Sequence, residues 1–132
     1  LSLAITQGAT FVAQAFTNDA KHLIEMIKLG MQHKGFSVIN VLQPCVTFNK
    51  VNTYQYFMER IYKIDPSHDV SDYAYALSVA TYGFTQEKFP LGILYQNKSV
   101  LPYHEDEAAL GDCILGENSR FMNYQSLMSQ YM

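Results

Sequence analysis

Two apolar runs on either side of one amphipathic helix constrain this chain more than any other feature. Thr10-Phe11-Val12-Ala13-Gln14-Ala15-Phe16 is short and rich in aromatic and small residues, and reads as a strand buried on both faces. Thr17-Asn18-Asp19 then offers N-cap side chains. From Ala20 to about His33, the residues Ala20, Leu23, Ile24, Ile27 and Met31 recur at the spacing of one helical face, with Lys21, Glu25, Lys28 and Gln32 largely on the other. Lys34-Gly35 closes the helix, with glycine free to take a positive φ. Phe36 to Leu42 is a second near-continuous apolar run, again expected to be buried on both faces. Strand, helix and strand within 33 residues form a βαβ unit, which is parallel and almost always right-handed. The expectation is an α/β fold with a mainly parallel sheet and flanking helices.

The 132 residues suit a single folded core. Charged residues make up only 16%, which implies that some apolar surface belongs in an interface. The net charge of −3 offers nothing to nucleic acid or an anionic membrane, so neither is expected as a partner. No apolar run approaches the roughly 20 residues that span a bilayer. Cys45 and Cys113 do not form a secreted disulfide framework, so a cytoplasmic chain with reduced thiols is expected. The opening Leu1 to Thr6 reads as the end of a helix stopped by Gly8, as in the C-terminal part of something longer.

Beyond Leu42 the pattern changes. Asn52 or Thr53 caps a helix expected to reach Ile64, with Tyr54, Phe57, Met58, Ile61 and Tyr62 on its apolar side. Asp65 to Asp69 is a loop. Ser71 or Asp72 starts a further helix with Tyr73, Ala76, Leu77, Ala80 and Thr81 along one face, ending at Gly83. Pro90 to Gln96 reads as a short strand, placed at a sheet edge by its proline. The polar remainder is expected to wrap another subunit or to lack order. The division read from sequence is 1–50 for the α/β part, 51–108 for an extension and 109–132 for a tail.

Cys45 follows the second strand in Leu42-Gln43-Pro44-Cys45-Val46-Thr47-Phe48-Asn49-Lys50. In open parallel sheets, ligands collect beyond the carboxyl ends of the strands. Pro44 stiffens the turn from which the thiol emerges. A thiolate there is a soft ligand for an iron–sulfur cluster, zinc or Cu(I). A lone cysteine after a strand is otherwise a small buried hydrophobe.

The stretch His33-Lys34-Gly35-Phe36 through Gln43-Pro44-Cys45-Val46-Thr47-Phe48-Asn49 closely resembles the β subunit of 2-oxoacid:ferredoxin oxidoreductases, as do Asn52-Thr53-Tyr54, Arg60-Ile61-Tyr62, Asp65 to Asp69 and Gly92 to Tyr95. The resemblance covers roughly residues 1–108. It implies an enzyme that oxidatively decarboxylates a 2-oxoacid with coenzyme A, yielding acyl-CoA, carbon dioxide and reduced ferredoxin. It implies a thiamine diphosphate-binding subunit with Mg²⁺ and one [4Fe–4S] cluster, and an α subunit as partner. It makes Cys45 the fourth cluster ligand. Thr47 and Asn49 become candidate cofactor contacts: the Thr47 hydroxyl and the backbone N–H groups of Val46 to Asn49 donate to cluster sulfur, Val46 and Phe48 exclude water, and Asn49 faces either the cluster or the thiamine side. The first three cluster cysteines and the Gly-Asp-Gly element of the family are absent, so this chain alone is expected to hold neither cofactor and to be inactive.

Other chemistry-bearing residues carry plainer readings. Cys113 reads as a free thiol in a polar tail. His22 and His33 read as surface residues, and His68 as non-catalytic, because contiguous Ser67-His68-Asp69 cannot form a convergent triad. His104 to Glu107 reads as a solvated acidic run. Lys50, Arg60 and Lys63 read as a solvated basic face, with docking of acidic ferredoxin as the alternative. Ten tyrosines suggest core packing plus a protein interface. Two rival classes remain: a cluster-free thiamine-dependent decarboxylase or transferase, and a non-catalytic interaction module.

Overall fold

Apolar runs that cannot face water on either side must be covered by helices, and that is how this chain is built. The computed structural model describes residues 1–106. The chain divides into two compact units, Leu1–Val100 and Leu101–Met132. Of the second, the described part is Leu101 to Asp106, which includes the short helix α5 (Tyr103–Asp106). Cys113, Glu107 and the 109–132 tail lie outside the described residues.

The first unit runs α1 (Ser2–Thr6), β1 (Phe11–Phe16), α2 (Ala20–Gln32), β2 (Ser37–Leu42), α3 (Tyr54–Met58), β3 (Ile61–Lys63), α4 (Tyr73–Thr85) and β4 (Phe89–Gln96). The four strands form one sheet in the order β2-β1-β4-β3. β1 pairs in parallel with β2 from Phe11↔Ser37 to Phe16↔Leu42. β4 is antiparallel to β1, and β3 is parallel to β4. Two of the three pairings are therefore parallel, and the βαβ unit forms as the periodicity requires. β1 is buried at all six positions. On one face Val12, Leu94 and Tyr95 pack with Ile5, Ala76 and Ala80 from α1 and α4. On the other, Phe11, Ala13 and Ala15 pack with Met26 of α2.

Local chemistry sets the helix ends. Gly8 and Gly35 take φ of +88° and +141°, the conformations needed to stop α1 and to turn from α2 into β2. Asp19 caps α2 by accepting from His22 N at 3.2 Å. Thr53 caps α3 through Tyr56 N at 3.3 Å, and Asp72 caps α4 through Tyr75 N at 2.9 Å.

Several expectations are corrected. α2 turns Met26 and Gly30 inward, with Leu23 and Leu29 partly buried, and leaves Ile24, Ile27 and Met31 exposed. Gly30 sets that rotation: a Cβ there would lie 2.7 Å from Ile39 Cδ1, so the helix rests on the sheet through its glycine. β2 is an edge strand, only partly buried and with Asn40 exposed, because no strand covers its outer side among the described residues. The helix expected to reach Ile64 ends at Met58, because Ile61–Lys63 pair with Phe89–Leu91 and tertiary pairing outweighs helical periodicity. α4 continues past Gly83 to Thr85. Gly83 is there for close approach, since a Cβ would sit 2.5 Å from the Lys88 carbonyl oxygen. β4 is an inner strand despite Pro90. Phe89 N and Leu91 O face β3, which turns the proline nitrogen toward β1, beyond the last β1–β4 pair at Gln14↔Gly92.

Candidate functional site

The parallel pair β1–β2 ends at Phe16 and Leu42, and the chain leaving it carries Cys45. The end of β2 is tied down twice from one residue: Thr17 donates to Leu42 O through its N–H at 3.1 Å and its hydroxyl at 3.3 Å. Pro44 is buried and anchors the segment, while Cys45 is exposed. Residues 46–48 then turn back, closed by Asn49 N donating to Cys45 O at 2.9 Å. The Asn49 side-chain oxygen accepts from Val51 N and Asn52 N, both at 2.9 Å, and Lys50 Nζ donates to Val46 O. The loop is thus folded by its own polar side chains on its own backbone.

α3 supports the same end of the sheet through aromatic contacts. Phe16 meets Tyr54 and Phe57 with ring centroids 5.8 and 6.0 Å apart, and Phe57 meets Tyr56 and Phe89 at 5.3 Å each. One buried amide crosses the strands nearby. Gln14, 2% exposed, donates to Pro90 O at 2.8 Å and accepts from Asn40 Nδ2 at 2.6 Å. It links β4, β1 and β2 two residues before the parallel pair ends. Sequence reading missed this pair, although a glutamine inside an otherwise apolar strand was its available signal.

The loop presents an unusual surface. Val46, Phe48 and Val51 are 55%, 90% and 76% exposed, beside the exposed thiol and Thr47. Apolar side chains gathered on a well-formed loop mark a surface that belongs against something. A soft thiolate among apolar neighbours suits a metal centre screened from water. Among the described residues no three His, Cys, Asp or Glu converge as a metal site.

The remaining candidates take structural roles. His33 is partly buried, not on the surface: its Nε2 lies 2.8 Å from Thr10 Oγ1, and burial, then Lys98, hold its pKa below the usual imidazole value. His22 is also partly buried, with Nδ1 enclosed. His68 donates from Nε2 to Leu94 O at 3.0 Å and stacks on Tyr75. Arg60 sits 4.0 Å above the Tyr56 ring and pairs with Glu59 and Glu87, and Lys63 pairs with Asp19 at 3.1 Å. The Asp19 carboxyl is lowered chiefly by the His22 N–H and then by Lys63, which suits an N-cap anion.

Residues 45–112, beginning at the exposed cysteine, match the family described as the C-terminal part of the pyruvate ferredoxin oxidoreductase beta subunit. The chain belongs to the β-subunit family of 2-oxoacid:ferredoxin oxidoreductases. It is 39% identical over 114 residues to the 2-oxoacid:ferredoxin oxidoreductase subunit beta of Saccharolobus solfataricus, covering 80% of this chain and 37% of that protein. It is 38% identical over 116 residues to 2-oxoacid:ferredoxin oxidoreductase 1, subunit beta, of Aeropyrum pernix, covering 80% and 36%. A solved 2-oxoglutarate:ferredoxin oxidoreductase from Magnetococcus marinus, with 2-oxoglutarate, coenzyme A and succinyl-CoA bound, superposes with a TM-score of 0.75 at 29% identity, covering the whole of this chain and 44% of that one. The chain therefore spans a little over a third of the length of these curated relatives. Within this β-subunit chain, Cys45 and Thr47 are exposed on one turn, while Asn49 spends its side-chain oxygen on building that turn.

No helix among the described residues is long and apolar enough to cross a membrane.

Proposed function

We propose that this chain is part of an enzyme that oxidatively decarboxylates a 2-oxoacid with coenzyme A, giving acyl-CoA and carbon dioxide and passing electrons through a [4Fe–4S] cluster to ferredoxin. An α subunit, together with thiamine diphosphate and Mg²⁺, makes the enzyme whole, and its setting is cytoplasmic. The carrying observation is Cys45: an exposed thiol beyond the carboxyl end of a parallel strand pair, on a loop whose apolar side chains face outward.

Cys45 supplies one thiolate of the four that the cluster requires. The exposed Thr47 hydroxyl and the backbone N–H groups of Val46, Thr47 and Phe48 are the donors offered to sulfur, which tunes a cluster's potential, whereas the Asn49 N–H expected to join them is already given to Cys45 O. Val46 and Phe48 keep water from the centre. Asn49 acts at one remove, by holding the turn that aims Cys45 and Thr47. When bound, thiamine diphosphate supplies carbanion stabilisation and the cluster accepts electrons singly.

The test is iron and acid-labile sulfide analysis of the intact enzyme with and without Cys45→Ser. Loss of the cluster's visible absorbance and of ferredoxin-linked activity is expected in the variant. Unchanged iron content would leave the cluster-free thiamine enzyme as the better description.

A further inference from the structure

The turn that follows Cys45 treats its two kinds of backbone group differently. The Cys45 carbonyl accepts from Asn49 N at 2.9 Å, and the Val46 carbonyl accepts from Lys50 Nζ, which reaches back four residues to meet it. The N–H groups of Val46, Thr47 and Phe48 have no partner among the described residues. The turn therefore covers its acceptors and leaves its donors open. The group that covers the Val46 carbonyl is a full positive charge, held on the residue next to the cysteine.

Lys50 differs from the other cations that follow the loop. Arg60 pairs with Glu59 and Glu87, and Lys63 pairs with Asp19. Among the described residues no carboxylate pairs with Lys50. A paired cation presents little net field, whereas one without a counter-charge acts in full on what lies beside it. A cluster's potential depends on the net charge around it. One-electron reduction makes a thiolate-ligated cluster more negative, so a fixed cation nearby favours the reduced form and raises the potential.

We propose that Lys50 raises the reduction potential of the cluster that Cys45 helps to hold, acting as a positive charge fixed on the loop's own backbone. The proposal rests on the cluster reading of Cys45. Docking of acidic ferredoxin would use the same charge, but a docking lysine extends toward its partner, and complementary charge there acts mainly on encounter. Lys50, though exposed, is folded back onto Val46 O. Its place in the loop suits a role in the centre's electrostatics, and that role is separable from docking because it persists when ferredoxin is absent.

The experiment is a redox titration of the assembled enzyme without ferredoxin, followed by the electron paramagnetic resonance signal of the reduced cluster. Lys50→Gln and Lys50→Met should each lower the reduced-to-oxidised ratio at fixed ambient potential about threefold, a shift of about 30 mV to more negative potential for one electron. Lys50→Arg keeps the charge and should stay close to the unmodified enzyme. Iron and acid-labile sulfide should be unchanged in all three variants. An unmoved potential in the Gln and Met variants overturns the proposal, and a raised KM for ferredoxin alongside it would make Lys50 a docking residue. An equal shift in the Arg variant also overturns it, because fit and not charge would then be at work. So does loss of iron from both charge-removing variants, which would make the lysine a structural tie. An unmodified enzyme without iron refutes the cluster reading and the proposal with it, whereas a loaded cluster with an unmoved potential refutes the proposal alone.

Discussion

β1 and the loop that carries Cys45 are opposites in how they meet water. Every residue of β1 is buried, with helices over both faces and strands on both edges. In the loop Pro44 is buried, Asn49 is partly buried, and Cys45, Val46, Thr47 and Phe48 are exposed. The strand is held by apolar burial and the ladder. The loop is held by local hydrogen bonds from Asn49 and Lys50 and by the anchoring proline. Residues of β1 should therefore govern whether the chain folds, and residues of the loop should govern what the folded chain binds.

The hardest push against that division is Phe16→Ala. It removes a buried ring that meets both Tyr54 and Phe57, so a loss of about 3–5 kcal/mol is expected by denaturant titration. A loss under 1 kcal/mol would show that the aromatic cluster is not part of the core. Gln14→Leu keeps the apolar strand but strands the buried Pro90 carbonyl and removes the partner of the exposed Asn40 amide. A cost of about 1–3 kcal/mol follows, and amide exchange should quicken at the β2 end. Removing a cap is milder. Thr53→Ala should destabilise by about 1 kcal/mol, read as a lowered melting temperature.

Acid acts on the part-buried His33. Burial, then Lys98, depresses its folded pKa, so the unfolded chain binds the proton first as pH falls. Stability should be full above about pH 6.5 and decline below it, toward the depressed folded value. His33→Gln should flatten that decline in stability measured across pH. The smallest effect on stability belongs to the residue proposed as the cluster ligand. Cys45→Ser should shift stability by less than about 0.5 kcal/mol while abolishing cluster loading of the intact enzyme. A large destabilisation there would erase the contrast between strand and loop.

The elements that were legible in advance are those whose signal is local. The β1 and β2 runs, the short cap stretches from which the structure selects Asp19, Thr53 and Asp72, and the Gly8 stop all depend on residues within one turn or strand of each other. The placement of Cys45 beyond β2 was legible for the same reason, since a proline-stiffened exit from a strand is written in consecutive residues. Residues whose roles depend on distant partners were not legible. Gln14 reaches Pro90, 76 positions away, and β3 exists only because β4 returns beside it. The orientation of α2 escaped for the same cause: Ile24, Ile27 and Met31 have helical spacing, but the tight approach of Gly30 to Ile39 decides which side faces the sheet.

Hydrophobic periodicity, caps and turn residues by themselves determined that a βαβ unit forms and that a cysteine leaves its second strand. Those features are settled by dihedral preferences and by burial patterns within short windows. Tertiary structure alone decided strand order, the inward position of a proline-bearing strand and the gathering of Tyr62 with Tyr82 on one flank. Those outcomes depend on which distant surfaces exclude water from each other, and a linear pattern does not encode the choice among partners of equal hydrophobicity.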